Sequence, residues 1–168
     1  LDAATENRGR IQGRKYQDGI VVRGSHDVTV RFAKCCSPIP GDEIVGFVTR
    51  GRGVTIHRTD CVNIMSIYGA DRARLLDAEW QPEEVTGKLF MANITVYANN
   101  RVGLVVDISK VLSERKIDVE SMNVNTSKQG TATIAVSFNV HSIEELNYLM
   151  EKIRQIESVM DIKRVTGS

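Results

Sequence analysis

Apolar and polar positions fall into two regimes along these 168 residues. Residues 1–19 are polar, show no sustained period and read as a tail or linker. From Ile20 the apolar runs are short and β-like, over residues 20–23, 28–32, 44–48 and 54–57. Turn chemistry separates them at Gly24-Ser25, at Ser37-Pro38-Ile39-Pro40-Gly41-Asp42 and at Arg50-Gly51-Arg52-Gly53. Thr59 or Asp60 is placed to cap a short helix running from Cys61 to about Tyr68. Residues 74–80 predict a further strand, after which Pro82-Glu83-Glu84 breaks the pattern and marks a boundary.

The second regime is more regular. Residues 89–98 alternate through Ile94, Val96 and Ala98, a strand. Leu104, Ile108, Val111 and Leu112 recur at helical spacing and predict an amphipathic helix over about residues 102–115. A strand follows over 119–126, with Lys128-Gln129-Gly130 as a hairpin turn. Ala132, Ile134, Val136, Phe138 and Val140 alternate without a fault. Ser142 with Glu145 forms a capping box that opens a helix with Leu146, Leu149, Met150 and Ile153 on one face. Residues 159–165 close the series as a strand. The order β-α-β-β-α-β is the ferredoxin-like arrangement, with both helices on one face of a four-stranded antiparallel sheet. The other face, if apolar, needs cover, and a second copy is the usual remedy. The expected fold class is therefore α+β. A small β-rich unit spans 20–81, a linker 82–88, and a ferredoxin-like βαββαβ domain 89–168.

Composition narrows the class. With 42% hydrophobic, 26% charged and 5% aromatic residues, the chain is neither disordered nor collagen-like. No stretch reaches the ~18 consecutive apolar residues of a membrane span, and no signal peptide is visible. The chain begins at Leu1, which predicts a segment of something longer. Net charge is +1, so no global field draws a polyanion, although residues 1–64 carry ten Lys/Arg against seven Asp/Glu. Three cysteines, two of them adjacent, do not make a disulfide framework and predict a reducing, cytoplasmic setting.

Two clusters could carry chemistry. Cys35, Cys36, His57 and Cys61 make three thiols and one imidazole, a set suited to structural zinc. Adjacent residues on a strand point to opposite faces, so both Cys35 and Cys36 can reach one ion only if the backbone turns sharply, as Ser37-Pro38 would allow. The same spacing is compatible with two buried thiols and one structural cysteine. In the second half, Asn99, Asn100, Arg101, Val102, Gly103 and Leu104 join a strand to a helix start, where free N–H groups and the helix dipole favour an anion. Asp118 could receive an ammonium group, so together they would suit a zwitterionic amino acid; alternatively Asn100 simply caps the helix and Gly103 packs. Lys34, Arg50, Arg52 and Arg58 could contact a phosphate backbone, or line a solvated hairpin tip. A Cys–His nucleophile pair lacks an orienting partner and an oxyanion loop, so no catalytic residue is assigned. An RNA-recognition motif shares the βαββαβ order, but Thr131–Val140 offers only Phe138 of its stacking aromatics.

Resemblance sharpens both clusters. Val96-Tyr97-Ala98-Asn99-Asn100-Arg101-Val102-Gly103-Leu104-Val105-Val106-Asp107-Ile108, followed by Ile117-Asp118-Val119, resembles an ACT domain. The resemblance implies pairing of copies and amino-acid binding at the interface, through the 99–104 loop and Asp118. Asp118 stands where Asn is common, and Ala98 where a ligand-contacting side chain is common. The run AKCCSPIPGDEIVGFVTRGRGVTIHRTDC resembles the conserved-cysteine, zinc-finger-like domain of long bacterial RelA/SpoT homologues, in which an ACT domain follows. Those proteins make and hydrolyse (p)ppGpp in the stringent response. What the resemblance implies is a regulatory region, not itself an enzyme, controlling hydrolase and synthetase domains that lie N-terminal to it. It further implies a branched-chain amino acid (valine, leucine or isoleucine) as effector, possible zinc, a homodimer through the ACT domain, and ribosomal RNA and tRNA as partners. Two rival classes are a ribosome-docking and dimerisation module without a ligand, and the regulatory domain of an amino-acid biosynthetic enzyme. The second leaves the cysteine run unexplained.

Overall fold

A computed structural model describes residues 15–16, 19–23, 29–51 and 53–167. Contacts divide them into two units, one reaching Lys88 and including Thr166 and Gly167, the other Leu89–Val165. The fold is mixed α+β with one curled sheet and one open sheet.

In the first unit, β1 (Lys15–Tyr16), β2 (Ile20–Val22), β3 (Val30–Phe32), β4 (Ile44–Thr49), β5 (Gly53–Arg58) and β6 (Leu75–Trp80) form a sheet in the order β1-β2-β6-β4-β5-β3. All neighbours are antiparallel except β3 and β5, which are parallel. The sheet curls because β6 serves two partners, Leu75, Leu76 and Asp77 pairing with β4 and Ala78, Glu79 and Trp80 with β2. Short alternating runs fold this way because every second residue turns inward. Ile20, Val22, Val30, Val54, Ile56 and Ala78 make the core, with Phe32 stacked on Trp80 at 5.6 Å between ring centroids. Trp80 Nε1 donates to the Asp42 carbonyl, and Asp42 Oδ2 accepts from Ile39 N at 2.8 Å, which ties the proline-rich turn to the sheet.

Two local expectations change here. The polar tail contributes β1, while residues 1–14 and 17–18 lie outside the described residues. The helix after Cys61 is a single turn, α1 (Val62–Met65), with no side-chain cap, because Asp60 bonds Arg58 instead. A 3-10 turn (Gly69–Arg74) and α2 (Pro82–Val85) complete the unit.

The second unit runs β7 (Phe90–Asn99), α3 (Leu104–Glu114), β8 (Val119–Thr126), β9 (Thr131–Val140), α4 (Ile143–Arg154) and β10 (Val159–Arg164). Its sheet order is β10-β7-β9-β8, all antiparallel. Leu104, Ile108 and Leu112 of α3 and Leu146, Leu149 and Ile153 of α4 are buried, as are the alternate residues Ala92 to Ala98 of β7 and Ala132 to Val140 of β9. Ser142 Oγ accepts from Glu145 N, while Glu145 reaches back to His141 N, one residue before the expected partner. The opposite sheet face carries Asn93, Thr95, Thr133, Ser137, Asn123 and Asn125 together with the exposed Met91 and Tyr97, so it is mostly polar with two apolar side chains in it. No described helix is long and apolar enough to cross a membrane.

Candidate functional site

The four metal-ligating candidates come together. Cys35, Cys36, His57 and Cys61 place one ligand atom each within 4.8 Å of one another. The adjacent cysteines converge because they lie beyond β3, in a turn closed by Ser37 N donating to the Ala33 carbonyl at 3.0 Å. Ser37 itself supplies the reversal, with a left-handed φ of 45°. His57 sits near the end of β5, and Cys61 N donates back to the Arg58 carbonyl, so the Thr59-Asp60 turn brings Cys61 beside the histidine.

The distances fit one ion. Cys35 Sγ lies 3.5 Å from Cys61 Sγ, 4.0 Å from Cys36 Sγ and 3.5 Å from His57 Nδ1, while Cys36 Sγ lies 3.8 Å from that nitrogen. A tetrahedral ion with sulfur at about 2.3 Å and nitrogen at about 2.0–2.1 Å would set its sulfurs ~3.7 Å apart and sulfur to nitrogen ~3.5 Å. Burial pushes the Cys36 thiol up to about 12, and its two cysteine neighbours add to this against the Arg58 backbone N–H. Burial likewise raises Cys61 and lowers His57, so a neutral imidazole faces thiols that hold their protons until an ion displaces them. The Arg58 and Asn63 backbone N–H groups favour the ionised sulfurs of Cys36 and Cys61.

The basic set divides. Lys34 and Arg50 are exposed, Arg52 lies outside the described residues, and Arg58 is buried with its guanidinium on the Cys36 carbonyl and Asp60. The sequence offers no sign of that burial, since an arginine between a histidine and a polar turn reads as a surface residue. A phosphate-contact reading therefore keeps Lys34 and Arg50 among the described residues.

In the second unit, Gly103 occupies the N-cap of α3 with a φ of 85°, and no side chain caps the helix. Asn100 N donates to the Gly130 carbonyl, tying the loop to the β8–β9 turn. Arg101 spans the loop: it bonds Asp107 at 2.7 Å and the Glu157 carbonyl at 3.0 and 3.2 Å. The positive end of α3 thus already meets the Asp107 carboxylate, which Arg101 offsets. Val102 is 98% exposed between them, and Leu104 is buried. Asp118 is elsewhere. Asn99 pairs with Thr131 at the start of β9, whereas the Asp118 carbonyl accepts from Asn139 near its end. Eight residues of strand separate the two, about 27 Å at ~3.4 Å per residue.

Comparison with known proteins gives both units a family. Residues 20–81 match the RelA/SpoT RIS domain and residues 86–164 the ACT domain. The chain is 38% identical over 164 residues to the GTP pyrophosphokinase of Streptomyces coelicolor, covering 98% of this chain and 19% of that protein. It is 35% identical to the GTP pyrophosphokinase of Escherichia coli K12, covering 97% and 21%. It is 37% identical over 150 residues to the bifunctional (p)ppGpp synthase/hydrolase RelA of Mycobacterium tuberculosis, covering 89% and 20%. The chain therefore spans about a fifth of the length of these relatives. Among solved structures, the ACT domain from GTP pyrophosphokinase of Chlorobium tepidum aligns with a TM-score of 0.42 and 25% identity, covering 46% of this chain and 99% of that one. Through its RIS and ACT domains the chain belongs to the RelA/SpoT family, as a regulatory region of the GTP pyrophosphokinase type.

Proposed function

We propose that this region senses and docks on behalf of an alarmone-synthesising or alarmone-hydrolysing enzyme, through a structural zinc centre in the RIS domain and an amino-acid site completed by two ACT domains. The convergence of Cys35, Cys36, His57 and Cys61 carries the first part. Four protein ligands fill a tetrahedron and leave no open position for water or substrate, so the centre is structural and not hydrolytic. When bound, zinc supplies cross-linking energy between the turn after β3 and the turn after β5. Elemental analysis is expected to give about one equivalent of zinc per chain, lost in His57→Ala. Metal-free protein whose melting temperature ignores a chelator rejects this reading.

The ACT part takes valine, leucine or isoleucine as effector. A small zwitterion cannot touch residues 99–104 and Asp118 of one chain across about 27 Å of strand. The site is therefore shared. β8 is an edge strand, with Val119 38% and Val124 42% exposed. Antiparallel pairing of β8 with its counterpart across a two-fold axis carries Asp118 of one copy toward the β8–β9 turn of the other, the end where its 99–104 loop lies. Calorimetry on a verified dimer is expected to give heat with one of the three amino acids; silence with all three defeats the assignment.

The 27 Å separation also favours a second reading, a ribosome-docking module without a ligand that uses exposed Lys34 and Arg50. Salt-dependent affinity for ribosomal RNA, unchanged by amino acids, selects it.

A further inference from the structure

The three sulfurs of the cysteine–histidine cluster are not equivalent. Cys36 and Cys61 are closed off from solvent, at 2% and 0% exposure, whereas Cys35 is partly exposed. A reagent arriving from solvent therefore meets one sulfur first. That sulfur has two possible partners, Cys61 Sγ at 3.5 Å and Cys36 Sγ at 4.0 Å. Geometry favours Cys61. Neighbouring residues hold their Cα atoms about 3.8 Å apart across a trans peptide, short of the roughly 4.4–6.8 Å that an unstrained disulfide spans. Cys36 Sγ is also held by the Arg58 backbone N–H at 3.3 Å. Cys35 and Cys61 instead stand 26 positions apart, in the turns that follow the parallel neighbours β3 and β5. From 3.5 Å, their sulfurs need to close by only ~1.5 Å to reach the length of an S–S bond.

We infer that Cys35 is an oxidation site for a hydroperoxide, and that Cys61 then closes on it as a disulfide that opens the metal centre. The opening step rests on reading the cluster as a metal site. A partly exposed sulfur in a tight turn admits a two-oxygen reagent more readily than a bulky disulfide. With an ion bound the sulfurs are thiolates, the reactive form. The Cys35 thiolate attacks one peroxide oxygen and the O–O bond breaks. The other oxygen leaves as hydroxide or alkoxide and takes a proton from water, and Cys35 is left as a sulfenic acid. The Cys61 thiolate next attacks the Cys35 sulfur, so the S–S bond forms and the S–O bond breaks. The hydroxide that departs takes a second proton. Two electrons have passed from the two sulfurs to the peroxide, which ends as two waters, or as water and an alcohol. Cys36 and His57 then remain as two ligands of the four, too few for a structural zinc centre. The fold keeps its tie, because the disulfide joins the same two turns that the ion joined. The oxidised centre is a closed, metal-free state and not an unfolded one.

The test treats the whole zinc-loaded chain with hydrogen peroxide, follows released zinc with a chromogenic chelator and maps the non-reduced tryptic peptides by mass spectrometry. Met65 is 68% exposed and takes up oxygen independently, so the peptides are read and not the intact mass. About one zinc per chain is expected to leave, in step with a cross-link between peptides 35–50 and 59–72. Fragment ions are expected to place that link on Cys35, and dithiothreitol to reverse both changes. Cys61→Ser should stop at a sulfenic acid on Cys35 that dimedone labels, whereas Cys36→Ser should still cross-link. The oxidised chain should melt above the reduced, metal-free chain. Zinc-loaded protein whose cysteines resist peroxide, or whose link falls on Cys36, overturns the inference and leaves the metal reading intact. A wild-type chain that carries no zinc removes that reading and the opening step with it, and the peptide map then decides the Cys35–Cys61 pair alone. The decisive readout is taken on wild type and does not depend on either variant folding.

Discussion

Ser37 holds a left-handed φ of 45° in the turn that lets two neighbouring cysteines face one point. Left-handed backbone costs a residue with a Cβ roughly 1–2 kcal/mol, and a β-branched side chain is the least suited to it. Ser37→Gly is therefore expected to keep or raise the stability of the metal-free RIS domain, with Ser37→Val about 1–2 kcal/mol below it in urea unfolding. Equal stabilities would show that the turn does not depend on that conformation. The thiols set a second prediction. His57 titrates below its ordinary 6.5 in the folded state, so as pH falls through 6.5 the unfolded chain gains a proton first and stability is lost. Cys36 is raised from 9.0 to about 12, so above 9.0 the unfolded thiol ionises first and stability is lost again. Metal-free protein should thus be most stable between 6.5 and 9.0. Zinc affinity should instead climb across that window by about a hundredfold or more per unit, since at least Cys36 and Cys61 must release protons. A pH-independent affinity would contradict protonated thiols in the empty cluster.

At the scale of elements, the clearest text in the sequence was β9. Its unbroken alternation matches a strand whose even-numbered residues are all buried, from Ala132 to Val140. The helices were nearly as legible, α4 through its Ser142 cap and α3 through Leu104, Ile108 and Leu112. The front sheet was legible strand by strand but not in its pairing. Nothing local in residues 30–32 and 53–58 says that β3 runs parallel to β5, because that pairing is set by contacts across the loop containing the cysteines. For the same reason spacing could nominate four ligands but could not bring Cys35 and Cys36 to one point. That needed the Ser37 backbone, which no pattern of apolar residues encodes. The β3–β5 junction is testable at two glycines of one hairpin. Gly53 has a φ of 87°, and a Cβ there would lie 2.2 Å from the Thr29 carbonyl oxygen, which also accepts from Val54 N. Gly51 has a φ of 73° with nothing within 4 Å. Gly51→Ala is expected to cost about 1 kcal/mol, the backbone term alone, and Gly53→Ala about 2–4 kcal/mol with loss of zinc binding. Similar melting temperatures for the two variants would mean that the close approach to Thr29 is not a constraint.

For the whole molecule, the decisive quantity is the strand length between the 99–104 loop and Asp118. Helix-start chemistry and the ACT resemblance placed these residues in one candidate site at an interface between copies; that they stand at opposite ends of β9 within one chain could not be read without the register. The outer face of the ACT sheet, mostly polar but for Met91 and Tyr97, gives only a small reason for pairing, and the open edge of β8 supplies a larger one. A site built from the loop of one copy and Asp118 of the next has a consequence that no single-chain site shares. Asn100→Ala and Asp118→Ala should each abolish amino-acid binding in their own homodimers. In a mixed dimer, however, one of the two sites receives both mutations and the other receives neither. Random reassembly of equal amounts makes half the dimers mixed, so about one quarter of wild-type capacity should return on mixing. The affinity of the restored sites should equal that of wild type, because nothing in them is altered. Calorimetry before and after co-refolding the two variants reads both numbers. Recovery of neither capacity nor affinity, with mixed dimers verified by mass, would place the ligand wholly within one chain or remove it altogether. Within one chain, the ligand would then have to rest on Arg101 and the α3 terminus without Asp118, and Asp118→Ala alone would leave binding intact.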